Sequence, residues 1–296
     1  MTANGFGTET LSHMPTPPTL AVTGSTGALG GLVARELADL GVAQRLVVRS
    51  PERAPRLDRA DAVRAAYGDR EAALRSLEGA TTLFMVSAAE AADRLEQHLT
   101  FVDAAADAGV EHVVYTSFFG AAGDCTFTLG RHHWATEEHI RARGMRFTFL
   151  RDNLYLDFFP HLVGDDGVIR GPAGQGRVSA VAREDIARVA VNVLLDPEAH
   201  VGKTYHLTGR EALSMDDVAG ILTETTGRQV TYHDETVAEA YESRKRWDAP
   251  DWQYDAWVST YTAMAAGEVA EISQDVARLT GREPLTLREL LAGGRP

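Results

Sequence analysis

The chain alternates between short apolar runs and longer stretches in which apolar residues recur at helical spacing. From residue 19 onward the apolar runs are LAV at 20–22, LVV at 46–48, LFMV at 83–86, VVY at 113–115 and FTFL at 147–150. Between the first two runs, Leu29, Val33 and Leu37 fall on one helical face. Strands that are apolar at successive positions are buried on both faces, as in a parallel sheet covered by helices. The alternation therefore predicts an α/β fold with a Rossmann-like, doubly wound parallel sheet.

The alternation loosens after residue 151, and this change divides the chain. We expect residues 19–151 to form the sheet domain and residues 152–296 a smaller, mostly helical C-terminal lobe, parts of which return to the sheet. TYHLTG at 204–209 is typical of one returning strand, and Ser214 with Asp217 predicts a capping box that begins a helix. Residues 1–18 contain neither the basic nor the apolar segment of a secretory signal, so we expect a flexible tail.

Composition narrows the class of partner. The net charge of -13 argues against nucleic acid and anionic membranes, because both bind clustered Lys and Arg side chains. Cys125 is the single cysteine, so the chain has no internal disulfide, and we expect a cytoplasmic location. The spacing of His132, His133 and His139 gives no single-face metal site, and we expect no metal. A small molecule is the expected partner, and a homo-oligomer remains open.

A glycine-rich loop joins the first predicted strand to the first predicted helix. The segment VTGSTGALG places Gly24, Gly27 and Gly30 at three-residue intervals. Glycines at this junction permit a tight turn and let the backbone approach a pyrophosphate, whose charge is favoured at the amino end of a helix. We therefore predict that residues 19–151 form an NAD(P)-binding domain.

The end of the second predicted strand indicates which dinucleotide is bound. An NAD site usually has Asp or Glu at this position to hold the ribose 2′-hydroxyl, whereas NADP needs a cation for its 2′-phosphate. Here the strand ends in LVVRSPER, which places Arg49 at that position. A guanidinium pairs well with a phosphate, so NADPH is predicted, with NADH less favoured.

Five segments together resemble the NmrA-like branch of the atypical short-chain dehydrogenase/reductases, with most likeness to NADPH-dependent quinone oxidoreductases. They are VTGSTGALG, LVVRSPERA, AAYGDREAALRSLEGA, YTSFFG and LRDNLYLDFF. The resemblance implies that residues 24–30 wrap the pyrophosphate, that Asp69 lies beside the adenine, and that His133 lies in the substrate pocket as the candidate catalytic residue. It also implies that residues 86–88 and 152–157 border the nicotinamide. The resulting cofactor-binding candidates are Gly24, Ser25, Thr26, Gly27, Ala28, Leu29, Gly30, Arg49, Asp69, Val86, Ser87, Ala88, Asn153 and Tyr155.

One apparent catalytic motif lies in the wrong place. In a reductase of this fold with a Tyr-Lys dyad, Ser117 would be followed by Tyr-x-x-x-Lys on the next helix, but that helix reads GRHHWATEEHIRARG. Tyr241 and Lys245 match the pattern more than a hundred residues later, beside Arg244 and Arg246 on what the sequence indicates is a polar helix face. We interpret this match as a solvated surface.

The missing dyad narrows the substrate. Reducing a ketone produces an alkoxide, for which a positioned proton donor is worth about 10²- to 10⁴-fold in rate. Reducing a quinone produces a phenolate-like anion that water can protonate later. We therefore predict direct hydride transfer from NADPH, without a flavin, to a quinone or similar electron-poor acceptor, and we expect the small-molecule partner to be a quinone or an aromatic carbonyl. His133 is a candidate to hydrogen-bond the acceptor or lend it a proton.

Two other functions stay open at the level of sequence. One is a non-catalytic regulator that senses NADP, and the other is a reductase or isomerase of one specific metabolite. The aromatic residues Trp247, Trp252, Tyr254, Trp257 and Tyr261 form either a lid for a flat substrate or ordinary packing, since Tyr254, Trp257 and Tyr261 share a helix face.

Overall fold

The computed structural model describes residues 19–293. The strands in this part of the chain are β1 Leu20–Thr23, β2 Gln44–Val48, β3 Ala60–Arg64, β4 Thr82–Met85, β5 His112–Phe118, β6 Arg146–Asp152, β7 Val168–Gly171, β8 Arg177–Val178, β9 Lys203–Leu207, β10 Leu213–Ser214 and β11 Thr231–Asp234. The α-helices are α1 Ala28–Asp39, α2 Arg70–Leu77, α3 Arg94–Asp107, α4 Thr128–Ala142, α5 Arg183–Leu195, α6 Met215–Thr226, α7 Val237–Arg244, α8 Asp251–Ala265, α9 Asp275–Thr280 and α10 Leu287–Leu291. The predicted tail, residues 1–18, lies outside the described residues.

Seven parallel strands form the central sheet, in the order β3, β2, β1, β4, β5, β6, β9. All seven residues of β5 are buried, whereas every residue of the edge strand β3 is partly or fully exposed. The central strands are therefore covered on both faces, as their unbroken apolar runs predicted. The Rossmann-like fold is confirmed.

Two apolar cores cover the faces of the sheet. One contains α1 and α5, which contribute Val33, Leu37, Ile186 and Val189. The other contains α2, α3 and α4, with Leu77, Phe101 and Ile140 among its buried residues. Because α5 covers one face of the sheet and β9 is one of its strands, the chain returns to the sheet domain after leaving it at Asp152.

A third core lies in the C-terminal lobe. It contains the apolar faces of α6 and α8 together with residues from the loops that follow β5 and β6. Two short strand pairs, β7 with β11 and β8 with β10, complete the lobe. The predicted capping box at the start of α6 is present, with Ser214 and Asp217 bonded to each other's backbone amides. The lobe packs against the segments that follow the carboxyl ends of β5 and β6, which is where ligands bind in sheets of this kind.

Candidate functional site

The glycine loop between β1 and α1 requires glycine at two of its positions. Gly24 has a φ of +68°, and a Cβ atom there would lie 2.9 Å from Cβ of Val86. A Cβ atom on Gly30 would lie 2.4 Å from the carbonyl oxygen of Gly24. The turn and the close packing of α1 against it therefore depend on these two residues.

The amino end of α1 is suited to an anion. Its N-cap is Gly27, which supplies no side-chain cap, and no acidic residue lies in the first turn. Residues 26–28 are exposed, while the hydroxyl of Ser25 is buried and has no hydrogen-bond partner among the described residues. Free helix amides and an unpartnered hydroxyl are the groups that bind a phosphate. The loop thus fits the pyrophosphate of a dinucleotide.

Arg49 and Asp69 differ in the contacts that their side chains make within the protein. Arg49 follows β2, is exposed, and forms no ion pair within residues 19–293. Asp69 is the N-cap of α2, and its carboxylate accepts a hydrogen bond of 3.0 Å from the amide of Ala72. Arg49 is therefore available to a ligand phosphate, whereas Asp69 also stabilises a helix. The adenine contact of Asp69 stays a prediction.

Buried polar side chains fix the segment that follows β4. The Val86 amide donates to the hydroxyl of Thr23 at 2.8 Å, and the hydroxyl of Tyr67 donates to the Val86 carbonyl at 2.6 Å. The next two amides donate to Oγ1 of Thr116 and Nε2 of His98, both at 2.9 Å. Residues 86–88 are thus held in one conformation beside the glycine loop.

Asn153 and Tyr155 are engaged within the protein. The side-chain amide of Asn153 donates to Oγ of Ser179 and to the Val269 carbonyl, and its oxygen accepts from the backbone amide of Leu154. Tyr155 donates to the buried carboxyl of Asp152 at 3.2 Å, and burial raises the pKa of that carboxyl well above its usual value. These contacts connect the end of β6 to the C-terminal lobe. Their predicted contact with a nicotinamide stays a prediction.

His133 has partners at both ring nitrogens. Nη2 of Arg94 lies 3.0 Å from its Nε2, and the hydroxyl of Tyr115 lies 3.0 Å from its Nδ1. Because arginine only donates, Nε2 must accept, and the neutral ring carries its proton on Nδ1. Burial, followed by the Arg94 charge, holds the pKa of His133 well below its usual value. In this geometry His133 orients Arg94, and its predicted catalytic role stays a prediction.

Ser117, which would accompany a Tyr-Lys dyad in a reductase with that acid, is hydrogen-bonded to a carboxylate instead. Ser117 donates to the buried carboxylate of Glu137 at 2.5 Å, and that carboxylate also pairs with Arg151. The Tyr-x-x-x-Lys match lies elsewhere, on α7 and the residue after it. Tyr241 donates to Asp255 at 2.7 Å, and the exposed Lys245 pairs with Glu242 at 2.6 Å. Both side chains make surface contacts, as predicted.

Arg244 is not on the polar face where the sequence analysis placed it. Its guanidinium is buried, forms an ion pair of 2.9 Å with Glu235, and lies 5.3 Å above the ring of Tyr261. The carboxylate and the aromatic ring compensate the charge for its lost hydration. The charge pattern of the helix does not predict the partner, Glu235, which lies nine residues earlier in the chain.

One carboxylate ties the aromatic residues of α8 to the loop that follows β4. Glu90 accepts hydrogen bonds from Nε1 of Trp257 at 3.2 Å and from Nε2 of Gln253 at 3.1 Å. Trp257 also makes edge-to-face contacts with Trp247 and Tyr254, each at 5.9 Å between ring centroids. Tyr261 on the same helix is buried in the lobe core. The aromatic residues therefore divide between packing and a partly exposed cluster beside residues 86–90.

The described residues contain neither a metal-binding cluster nor a membrane-spanning helix. Across residues 19–293 no three His, Cys, Asp or Glu side chains are grouped to hold a metal ion. No helix within that range has the length and apolar content needed to cross a bilayer.

Comparison with known proteins identifies the family. The model of the NmrA-like family matches residues 16–246. The chain belongs to the NmrA-like family.

Two similar proteins are named an oxidoreductase and a reductase. Quinone oxidoreductase 2 of Escherichia coli is 32% identical over 278 residues, covering 91% of this chain and 96% of the relative. NAD(P)H azoreductase of Xenophilus azovorans is 30% identical over 276 residues, covering 91% and 96%. The crystal structure of E. coli QOR2 complexed with NADPH superposes with a TM-score of 0.84 at 30% identity, covering 93% of this chain and 99% of that one. The predicted family and the predicted oxidoreductase class are confirmed.

The NmrA-like site contains residues that the sequence analysis did not name. Arg94, Tyr67 and Thr23 form the network around residues 86–88. A charged residue at the start of an amphipathic helix is usually solvated, so the sequence gave no signal for Arg94. Tyr67 lies in the loop between β3 and α2, where no apolar period marks it.

Proposed function

We propose that this NmrA-like protein is an NADPH-dependent reductase that transfers hydride directly to quinones and related electron-poor aromatic acceptors. The observation that carries the proposal is the loop of residues 24–30, which fits a pyrophosphate, together with Arg49, which follows the neighbouring strand, has no ion pair in the described part of the chain and suits a 2′-phosphate. When bound, the nicotinamide cofactor supplies the hydride. The chain itself contributes binding, orientation and exclusion of water.

The class of acceptor is inferred from the absence of a proton-donating dyad on α4. It has neither Tyr nor Lys, and Ser117 is engaged with Glu137. An alkoxide would need a proton donor at this position, whereas the anion of a reduced quinone has a pKa near that of a phenol, about 10, and takes its proton from water. The names of the quinone and azo reductase relatives support an aromatic acceptor.

The direct test is NADPH oxidation by the full chain with a panel of acceptors. We expect turnover with 1,4-benzoquinone and menadione, and with cyclohexanone a rate lower by about 10²- to 10⁴-fold because no acid is positioned for an alkoxide. An azo dye completes the panel. Tight binding of NADPH without turnover of any acceptor would contradict the proposal and favour an NADP-sensing regulator.

Two glycine-to-alanine variants, one in the loop and one as a control, test the cofactor site. Gly30→Ala places its Cβ against the Gly24 carbonyl, so we expect NADPH binding to be lost. Gly220→Ala is the matched control, because Gly220 is exposed on α6 with no atom within 4 Å of its Cβ position. The control should bind NADPH normally and be slightly more stable, by about 0.5–1 kcal/mol. Normal NADPH binding by Gly30→Ala would place the cofactor elsewhere.

A further inference from the structure

Arg94 is a buried cation whose partners are all neutral. Its side chain belongs to a residue that is 3% exposed. Nε donates to the Ala88 carbonyl at 2.9 Å, and Nη2 donates to Nε2 of His133 at 3.0 Å. Within residues 19–293 no carboxylate pairs with it, and Nη1 is buried without an acceptor. A buried guanidinium normally has a counterion, so this arrangement calls for a ligand that is negative or becomes negative.

The carboxylate nearest in chain position is already used. Glu90 lies four residues before Arg94, and its charge favours the protonated guanidinium. Its Oε2 atom, however, accepts from Trp257 and Gln253 on α8. The phenols of Tyr67, Tyr115 and Tyr155 also favour the charged guanidinium, but they are neutral at physiological pH because burial raises the pKa of each.

The orientation of the guanidinium is fixed. His133 accepts from Nη2 and donates through Nδ1 to the hydroxyl of Tyr115, a residue buried in the middle of β5. The Ala88 carbonyl accepts from Nε, on the same edge of the planar group. Since a guanidinium is rigid, these two contacts also determine the direction of Nη1.

A second buried nitrogen on the facing helix also has no partner. Nδ1 of His132, the residue before His133 on α4, is buried without a hydrogen bond in the described part of the chain. His132 directly precedes His133, whose Nε2 accepts from Arg94, so its unpartnered nitrogen belongs to the same contact region between α3 and α4. In the described part of the chain each of the two helices thus has one buried nitrogen without a hydrogen-bond partner, and Arg94 also contacts Ala88 in the segment expected to line the nicotinamide.

We propose that Arg94 and His132 form an oxygen-binding subsite that holds the acceptor oxygen on which negative charge develops during reduction. This inference rests on the proposed function and names the part of the site that stabilises its product. Bound NADPH would supply a hydride with its electron pair and become NADP⁺, the quinone would become the hydroquinone monoanion, and the remaining proton would come from water. Arg94 stabilises that monoanion before the proton arrives. Arg94 is then the catalytic residue, and His133 and Tyr115 are positioning residues.

The test uses a phenol that reports its own ionisation. 4-Nitrophenol changes colour on ionisation, and it does not need to be reduced to be detected. In the full chain saturated with NADP⁺, we expect the phenolate to bind more tightly than the phenol, so that the apparent pKa of the bound probe falls. Arg94→Met should reduce the preference for phenolate by about tenfold or more, and Arg94→Lys should restore part of it because a charge remains without the planar fork.

The control variant replaces Arg45, another arginine that donates to backbone carbonyls but lies far from the proposed subsite. Arg45 donates to the carbonyls of Ser76 and Glu78, at the opposite end of the sheet. Arg45→Met should leave the titration of 4-nitrophenol unchanged. If Arg94→Met does not fold, Arg94→Lys alone carries the test, and it should still weaken phenolate binding.

Catalysis provides the second measurement. We expect Arg94→Met to lower kcat for quinones by about 10²- to 10³-fold while the Kd for NADPH changes less than about threefold. Unchanged phenolate preference in the folded Arg94 variants would overturn the subsite, and so would a variant that lost NADPH binding instead. If the wild type reduces no quinone yet binds phenolate through Arg94, the proposed function fails while the subsite stands.

Discussion

Arg49 sets the expected cofactor preference through one exposed charge. Its guanidinium follows β2 and has no ion-pair partner among residues 19–293, so no such contact has to break when a phosphate binds. We expect Arg49→Asp to lower the preference for NADPH over NADH by about tenfold or more, because the variant replaces attraction of the 2′-phosphate by repulsion. Fluorescence titration of both cofactors measures this ratio. Arg75→Asp, at an exposed position on α2, is the control and should preserve it.

Residues near the glycine loop were predictable because their roles depend on local sequence. The positive φ of Gly24 and the close approach at Gly30 follow from a tight turn between a strand and a helix, which the spacing of the glycines indicated. Arg94 was not predictable in this way. Its contact with His133 joins residues 39 positions apart, and it forms only when α3 and α4 pack side by side. Burial of a charge is a property of tertiary structure that a single helix pattern does not contain.

At the scale of elements, α8 and the loop after β4 are joined through Glu90. Glu90→Ala removes two hydrogen bonds, and we expect the amino-terminal half of α8 to open more often, by about fivefold or more for a loss of about 1 kcal/mol. Hydrogen exchange measured by mass spectrometry over residues 251–257 tests this. The KM for an aromatic acceptor should rise, whereas the Kd for NADPH should not change.

A surface carboxylate provides the comparison for Glu90. Among residues 19–293 Glu242 pairs with the exposed Lys245 alone, so Glu242→Ala should leave exchange in α8 unchanged. Equal exchange rates in Glu90→Ala and the wild type would show that packing of the aromatic rings alone holds α8 in place.

The long elements were predictable and the short ones were not. Every apolar run that the sequence analysis interpreted as a strand lies in the central sheet, because burial on both faces requires an apolar residue at each position. β8 and β10 have two residues each, too few to show a period, and pair across 35 positions. β11 pairs with β7 through TYHD, which is polar and mostly exposed. Only tertiary contacts determine such strands.

For the whole molecule, buried histidines couple stability to pH. His98 and His133 are buried between α3, α4 and β5, and burial holds the pKa of each well below its usual value. The same rings in the unfolded chain titrate near pH 6.5. Below that pH the unfolded state binds protons that the folded state does not, so stability present above about pH 6.5 is lost as the pH falls. Asp152 acts in the opposite direction, since its raised pKa favours the folded state on acidification.

Replacing one of these histidines should flatten the pH dependence. Each neutral buried histidine contributes a slope of up to about 1.4 kcal/mol per pH unit below pH 6.5. His98→Gln keeps a donor and an acceptor for Thr136 and the Ala88 amide but does not titrate, so we expect lower stability at about pH 7 and a shallower fall in Tm toward about pH 5. His233→Gln is the control, because its ring is exposed on β11, and it should reproduce the wild-type slope. A His98→Gln curve parallel to the wild type would mean that the ring binds its proton equally in both states, against the burial that the structure shows.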